Sequence, residues 1–389
     1  MMALLSSQPT FTRKGNGLYV MEINNRYFTI DEEVRLVMHL LSISNTYEEA
    51  VQRYHTATGE KHTTEDFKLY SDELLKKFEL DQKVKSFLLV EKIILPPKQT
   101  AWLARVFQGL FQPTLFWITF LALILISLFA FFGADNYHHE ETSFEVPLLY
   151  FMGIYFISIF LHELGHIAAA RKFTGKNGGI GVGIYILYPI FFSDISAIWA
   201  ASKQQKVITN LAGVYMQLWC AIFLYFVGTN TYLHSFQDFG KAIMFICFIQ
   251  ILPFLRSDGY WLLSDLTETP NLLRKSNDQF KNFFSKPAVF IKKLSVSNFL
   301  LFSYAFLNTC LILIFLYHQL TNNQTALLEF PHYISQTFKQ LVVGDWQKIS
   351  FDSNYIQVVL FYYLIVMYGW RLVKYIKEMI STVHPPSNL

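Results

Sequence analysis

The sequence predicts a polytopic α-helical membrane protein with about six transmembrane helices, a re-entrant hairpin and a small N-terminal α+β domain. Of the 389 residues, 52% are hydrophobic and only 16% are charged, whereas a soluble chain has about 25% charged residues. Apolar runs of about 20 residues, enough to cross a hydrocarbon core, recur only after residue 112. The net charge is only +3, so we expect a lipid bilayer and no nucleic acid as a partner.

Residues 16–95 predict a compact module inside a cytoplasmic N-terminal domain and linker, residues 1–111. Leu18–Glu22 and Arg26–Ile30 are expected to form strands around a turn at Asn24-Asn25, and Lys83–Leu95 alternates as a terminal hairpin does. Three helices should follow residues that favour helix N-caps, which are Asp31, Thr46 and Thr64. This order of elements predicts a winged-helix-like fold.

Six candidate membrane spans follow, within a core of residues 112–265 and a C-terminal part of residues 266–389. They are Leu115–Gly133, Leu148–Ala170, Asn210–Gly228, Phe239–Leu255, Phe299–Tyr317 and Tyr355–Val373. The loops after the second and fourth spans are rich in Lys and Arg, whereas the loop after the first, Ala134–Pro147, has none. Because positive loops stay in the cytoplasm, both termini are expected on that side.

The second span contains the pattern HExxH, at His162, Glu163 and His166. Residues four apart share one face of a helix, so the two imidazoles are able to bind one Zn²⁺. Glu163 then lies beside the metal as the general base that activates water. The alternative is a polar patch facing the interior of a helix bundle, but ionisable groups inside a span are costly and indicate function.

Catalytic zinc usually takes a third protein ligand, for which the sequence offers two candidates. Asp258 follows the fourth span after Pro253, which ends a helix, and spans two and four run in the same direction. Asp194 is the competing ligand. It lies in Ile184–Trp199, an interrupted apolar stretch that we expect to re-enter the membrane as a hairpin or to lie at the interface. The edge of such a hairpin offers strand addition to an extended substrate.

These residues resemble the site-2 protease family of membrane-embedded zinc metallopeptidases over residues 150–265. The resemblance rests on the run His162–His166, on Ala212-Gly213 in the third span, and on Pro253 followed by Asp258-Gly259. It implies zinc held by His162, His166 and Asp258, with Glu163 as the base. The chain has glutamine at two positions where the family often has asparagine. The candidates for substrate or oxyanion contacts are Gln217, Gln250 and Asn210.

The stretch Pro189–Trp199 is similar to a branch of peptide zinc metalloproteases found beside exporters, and residues 16–95 resemble the leader-recognition element of peptide-maturation systems. The resemblance implies a multi-pass protease of the bacterial inner membrane that cleaves a membrane-associated or leader-bearing peptide, with export machinery as a partner. Two alternatives stay open. One is a regulatory protease that cuts a signalling partner in the membrane, and the other is a non-catalytic receptor or assembly subunit that keeps a metal site.

Overall fold

The computed structural model describes residues 8–14, 17–23, 26–80, 90–133, 148–185, 188–231, 234–253, 257–269, 271–285, 287–292, 295–343, 357–366, 368–370 and 373. The chain divides into two units, Met1–Pro270 and Asn271–Leu389. The predicted turn at Asn24-Asn25 lies outside the described residues.

The first unit begins with a three-stranded antiparallel sheet in the order β1 (Thr10–Lys14), β2 (Leu18–Ile23) and β3 (Arg26–Asp31). Three helices follow, α1 (Glu32–Ile43), α2 (Tyr47–Thr58) and α3 (Thr64–Leu80). Their buried side chains share one apolar core with the sheet, which includes Met21, Met38, Leu41 and Phe67. The small N-terminal α+β domain is therefore confirmed, with β1 as a strand that the sequence did not predict.

Local hydrogen bonds explain where these helices begin. The Asp31 carboxylate accepts from the Val34 N–H at 2.9 Å, and the Thr46 hydroxyl accepts from the Glu49 N–H at 3.2 Å, as the sequence predicts. The predicted cap at Thr64 is wrong by one residue. The hydroxyl of the preceding residue, Thr63, accepts from the Asp66 N–H at 3.1 Å, so Thr64 is the first helical residue instead.

The linker from this domain enters a second sheet beside the apolar helices. Strand β4 (Val90–Leu95) pairs antiparallel with β5 (Ile180–Tyr185), which forms a hairpin with β6 (Tyr188–Ser193). The predicted terminal hairpin at Lys83–Leu95 is thus a single described strand with a distant partner, and residues 81–89 lie outside the described residues.

Gly181 and Gly183, which come before Ile184, belong to strand β5. A Cβ on Gly181 would overlap the Phe192 ring and the Lys92 carbonyl, so the missing side chain lets the neighbouring strands approach closely. The hairpin therefore starts earlier than the predicted Ile184–Trp199. Its entry into the membrane stays a prediction.

The helices of the first unit continue with α4 (Pro97–Phe107), α5 (Pro113–Phe132), α6 (Leu148–Thr174), α7 (Lys203–Asn230), α8 (His234–Ile251) and α9 (Asp258–Leu266). Helix α7 is central. It packs against α5, α6, α8 and α9, and most of its residues up to Leu218 are buried. The apolar core of this region is formed around it, with Ile167, Ala168, Ala212 and Tyr215 fully buried.

The second unit contains α10 (Leu272–Ser285), α11 (Pro287–Lys292), α12 (Val296–Asn322) and α13 (Gln324–Val343). In the described part of the chain, four helices are long and apolar enough to cross a membrane: Pro113–Phe132, Gly153–Thr174, Lys203–Asn230 and Val296–Asn322. They match four of the six predicted spans. The other two predictions coincide with α8 and with a shorter apolar helix at Gln357–Trp370, and their crossing of the membrane stays a prediction.

Candidate metal centre

Helix α6 brings the three residues of the HExxH pattern into the interior of the first unit. His162, Glu163 and His166 have exposed fractions of 6%, 7% and 7%. One helical turn separates the two histidines, and their Nε2 atoms lie 3.1 Å apart. Two imidazole nitrogens at this distance are ready to bind a common ion.

Asp258 reaches the same point from a different element. Helix α8 ends at Ile251, before Pro253, and α9 begins at Asp258 itself. The Asp258 carboxylate places Oδ2 3.1 Å from His162 Nε2 and Oδ1 3.5 Å from His166 Nε2. His162, His166 and Asp258 form the one group of three candidate ligands found among the described residues.

Hydrogen bonds at the far side of each ring determine which nitrogen faces the centre. His166 donates from Nδ1 to the Thr209 carbonyl at 2.8 Å, and His162 donates from Nδ1 to Gln217 Oε1 at 3.0 Å. A backbone carbonyl only accepts, so the His166 proton must be on Nδ1. The Gln217 amide nitrogen in turn donates to the Ser158 hydroxyl at 3.2 Å, which fixes the orientation of the glutamine. Each neutral imidazole therefore directs an Nε2 lone pair at the centre.

The arrangement fits a metal cation. In a tetrahedral site with ligands about 2.0–2.1 Å from zinc, neighbouring donor atoms are roughly 3.3 Å apart, close to the separations seen here. The Asp258 Oδ2 atom is buried without a hydrogen-bond partner, which is expensive unless a cation binds it.

Small residues of α6 and α7 make room for this centre. A Cβ on Gly213 would overlap the Nε2 atoms of both His162 and His166, and a Cβ on Gly165 would overlap the Ala212 carbonyl. The Ala212-Gly213 step therefore allows the two helices to approach closely at the metal ligands.

The structure also brings a residue to Glu163 that sequence reasoning missed. Ser193, the last residue of β6, donates its hydroxyl proton toward Glu163 Oε2 at 2.6 Å, and its Oγ lies 2.9 Å from the Glu163 carbonyl oxygen. The sequence indicates the adjacent Asp194 as a candidate ligand, but no spacing rule connects residues 163 and 193. Only the pairing of β5 with β6 produces this contact.

The remaining predicted site residues lie at different distances from the centre. Asp194 is exposed, and its carboxylate accepts from the Ser196 hydroxyl at 2.7 Å, outside the group of three ligands. Asn210 donates to Asp265 at 2.8 Å. Gln250 has a buried amide oxygen without a partner, which suits a substrate contact, whereas Gln217 is occupied by His162 and Ser158. Contacts of Asn210, Gln217 and Gln250 with substrate stay predictions.

Two buried histidines, a partly buried aspartate and an adjacent glutamate form the residue set of a metal-dependent hydrolase. A sequence model of peptidase family M50 matches residues 150–359, more than half of the chain. The chain belongs to this family, the site-2 protease family, whose members are membrane proteins.

A second comparison gives a related protein in Bacillus subtilis (strain 168). The chain is 31% identical over 119 residues to a protein named "Putative peptide zinc metalloprotease protein YydH". The aligned part is 28% of this chain and 45% of that protein, so the chain spans less than half the length of this relative. No solved structure matches the chain.

Proposed function

We propose that the chain is an intramembrane zinc metalloprotease that hydrolyses a peptide bond of a membrane-associated or leader-bearing peptide for maturation or export. The observation that carries the proposal is the convergence of His162 Nε2, His166 Nε2 and the Asp258 carboxylate next to Glu163. These three ligands would hold Zn²⁺. When bound, zinc supplies a Lewis acid that polarises a peptide carbonyl and makes water more acidic.

Glu163 performs the proton transfers in this proposal. Its carboxylate accepts a proton from the attacking water and later delivers that proton to the nitrogen of the leaving amine. His162 and His166 keep their orientation through the Nδ1 hydrogen bonds to Gln217 and Thr209, so the site needs little rearrangement before the reaction.

The sheet β4-β5-β6 supports a mode of substrate binding. Strand β6 is at the edge of this sheet in the described residues, and it ends at Ser193 beside Glu163. An extended segment that pairs with β6 would therefore pass close to the metal centre. A helical segment must unwind before hydrolysis, and strand addition satisfies its backbone groups once it has done so.

A contact between the N-terminal domain and the end of α6 supports delivery of such a segment by this domain. Lys176, just beyond α6, forms an ion pair with Glu22 of β2 and donates to the Tyr27 hydroxyl of β3 at 3.1 Å. A peptide bound by this domain would be held near the β5–β6 hairpin, because Lys176, the residue in contact with the domain, lies four residues before β5 begins at Ile180. This placement favours maturation of a leader-bearing peptide.

The test combines metal analysis with substrate trapping. Purified wild-type protein should contain about one zinc ion per chain, Glu163→Gln should keep zinc without cleaving, and Asp258→Ala should lose zinc. Native cells that express Glu163→Gln with a photo-crosslinking residue in β6 should yield a bound peptide with a leader segment. Protein without zinc would support the non-catalytic alternative, and capture of a membrane-spanning signalling protein would support the regulatory one.

A further inference from the structure

Ser193 is the one hydrogen-bonding side chain that the hairpin contributes to the candidate base within the described residues. Its Oγ lies 2.6 Å from Glu163 Oε2, a short distance typical of a hydroxyl that donates to a charged carboxylate. The backbone of Ser193 is fixed by pairing with Ile180 in β5. The donor is therefore held by the sheet, and the acceptor is held by α6.

This contact provides a hydrogen bond to the buried carboxylate of Glu163. The side chain is only 7% exposed, and a buried carboxylate without a hydrogen bond is costly. A glutamate also has three rotatable bonds, so its oxygens sample several positions unless one of them is held. A donor that engages Oε2 leaves Oε1 to accept the proton of water, and it fixes the place where that proton is received.

We infer that Ser193 is a positioning residue, which holds the Glu163 carboxylate in the orientation that receives a proton. The inference rests on the proposed function and deepens it. Because Ser193 ends β6, the strand that would pair with substrate also carries the donor to the base. Substrate binding and orientation of the base thus depend on the same strand.

The test compares Ser193→Ala, Ser193→Thr and Ser193→Val in the full-length protein in detergent micelles. The probe is one internally quenched peptide, chosen from a randomised library as the peptide that wild-type protein cleaves fastest. Threonine and valine add the same methyl group, so their comparison isolates the hydroxyl. Ser196→Ala is the matched control, because the Ser196 hydroxyl bonds Asp194 and is exposed.

We expect kcat to fall roughly 10- to 100-fold in Ser193→Ala and Ser193→Val, as for other residues that orient a metal site. KM and zinc content should stay at the wild-type values. Ser193→Thr should recover most of kcat, and Ser196→Ala should match wild type. In a Glu163→Asp background the shorter carboxylate does not reach Ser193, so Ser193→Ala should add little further loss.

Two results would overturn the inference. Equal kcat in the threonine and valine variants would show that the hydroxyl is not needed, and a loss that appears in KM or zinc content would assign Ser193 to substrate binding or folding. Wild-type protein that cleaves no peptide of the library would contradict the proposed function itself. An active wild type with an unaffected Ser193→Val contradicts the positioning role alone.

Discussion

Gly213 is a residue at which the metal centre has no room for a side chain. Its missing side chain leaves the space in which the Nε2 atoms of His162 and His166 lie. We expect Gly213→Ala to weaken zinc binding by at least roughly 10-fold, because the added methyl group displaces both imidazoles. Zinc content after dialysis against a chelator measures the loss. Gly153→Ala in the same bundle is the control, since a Cβ there meets no atom within 4 Å; equal zinc loss in both variants would contradict the steric explanation.

Gln217 provides a second test at the residue scale. Its Oε1 accepts from His162 Nδ1 at 3.0 Å in a site where it is fully buried. Gln217→Leu removes the acceptor and should lower zinc affinity about 10- to 100-fold in a competition assay with a chelating dye. Gln217→Glu keeps an acceptor oxygen and should retain more affinity than Gln217→Leu. The reverse order would contradict the role of Gln217 as the acceptor that orients His162.

At this scale the sequence identifies the candidate metal ligands but not the residues that form hydrogen bonds with the ligands and with Glu163. His162, Glu163 and His166 are recognisable because helical spacing places them together, and Asp258 follows from the direction of two spans. The partners of these residues depend on tertiary contacts across long separations: Gln217 lies 55 residues from His162, and Ser193 lies 30 residues from Glu163. No local pattern encodes such pairs, which is why Ser193 was missed.

At the scale of elements, Thr100 joins α4 to Gly178, two residues before β5. Its buried hydroxyl donates to the Gly178 carbonyl at 2.6 Å across 78 residues of sequence. Thr100→Val keeps the shape and removes the donor, so it should lower stability by about 1–3 kcal/mol, the cost of an unpaired buried carbonyl. Thermal unfolding in detergent measures this effect. Thr309→Val is the control, because the Thr309 hydroxyl bonds a carbonyl of its own helix, α12; an equal shift in both variants would refute a special role for α4.

Lys176 contributes an ion pair to the attachment of the N-terminal sheet. We expect Lys176→Glu to increase hydrogen exchange in β2 and β3 by up to about fivefold, since a partly exposed pair contributes about 0–1 kcal/mol. The double variant Lys176→Glu with Glu22→Lys should restore protection. Faster exchange in the double variant than in Lys176→Glu would show that charge pairing does not hold the sheet.

The same contact has a defined pH dependence. Burial lowers the pKa of Lys176, but the hydrogen bonds to Glu22 and Tyr27 outweigh it and raise the pKa above its usual 10.5. A raised pKa in the folded state means that the stabilisation is fully present below about pH 10.5 and is lost as pH rises further. The protection factors of the β2 amides, which are corrected for the intrinsic pH dependence of exchange, should therefore be equal at pH 7 and pH 9. Loss of protection between those values would contradict the assignment.

Helices were predictable where a periodic apolar pattern follows a residue that caps the helix. A strand that contains glycine was less predictable. Asp31 and Thr46 mark two helix starts correctly, because capping is local. Strand β5 escaped recognition because glycine is rare in strands, and here it is required by the close approach of Lys92 and Phe192. Strand β4 lies within the predicted extended segment, but its side chains from Val90 to Ile94 are all exposed and its partner is about 90 residues away, beyond any local signal.

For the whole molecule, the charges of the loops predict its orientation in the membrane, and the structure gives the lengths of the helices. Helix α7 has 28 residues, which at about 1.5 Å per residue is roughly 42 Å, more than a hydrocarbon core of ~30 Å. Lys203 and Asn230, both exposed at its two ends, should therefore lie on opposite sides of the membrane. Because Lys176 contacts Glu22, the N-terminal domain should lie on the Lys203 side, which basic loops assign to the cytoplasm.

Cysteine reporters test this topology. After Cys220, Cys247 and Cys310 are replaced with alanine, single cysteines at Lys61, Lys203 and Asn230 are exposed to a membrane-impermeant maleimide. In intact cells only the Asn230→Cys variant should react, whereas after permeabilisation all three should react. Zinc content checks that each variant is folded. Reaction of Lys61→Cys in intact cells would place the N-terminal domain outside, and because the domain is bound to the end of α6, the metal centre would then have to receive its substrate from that side.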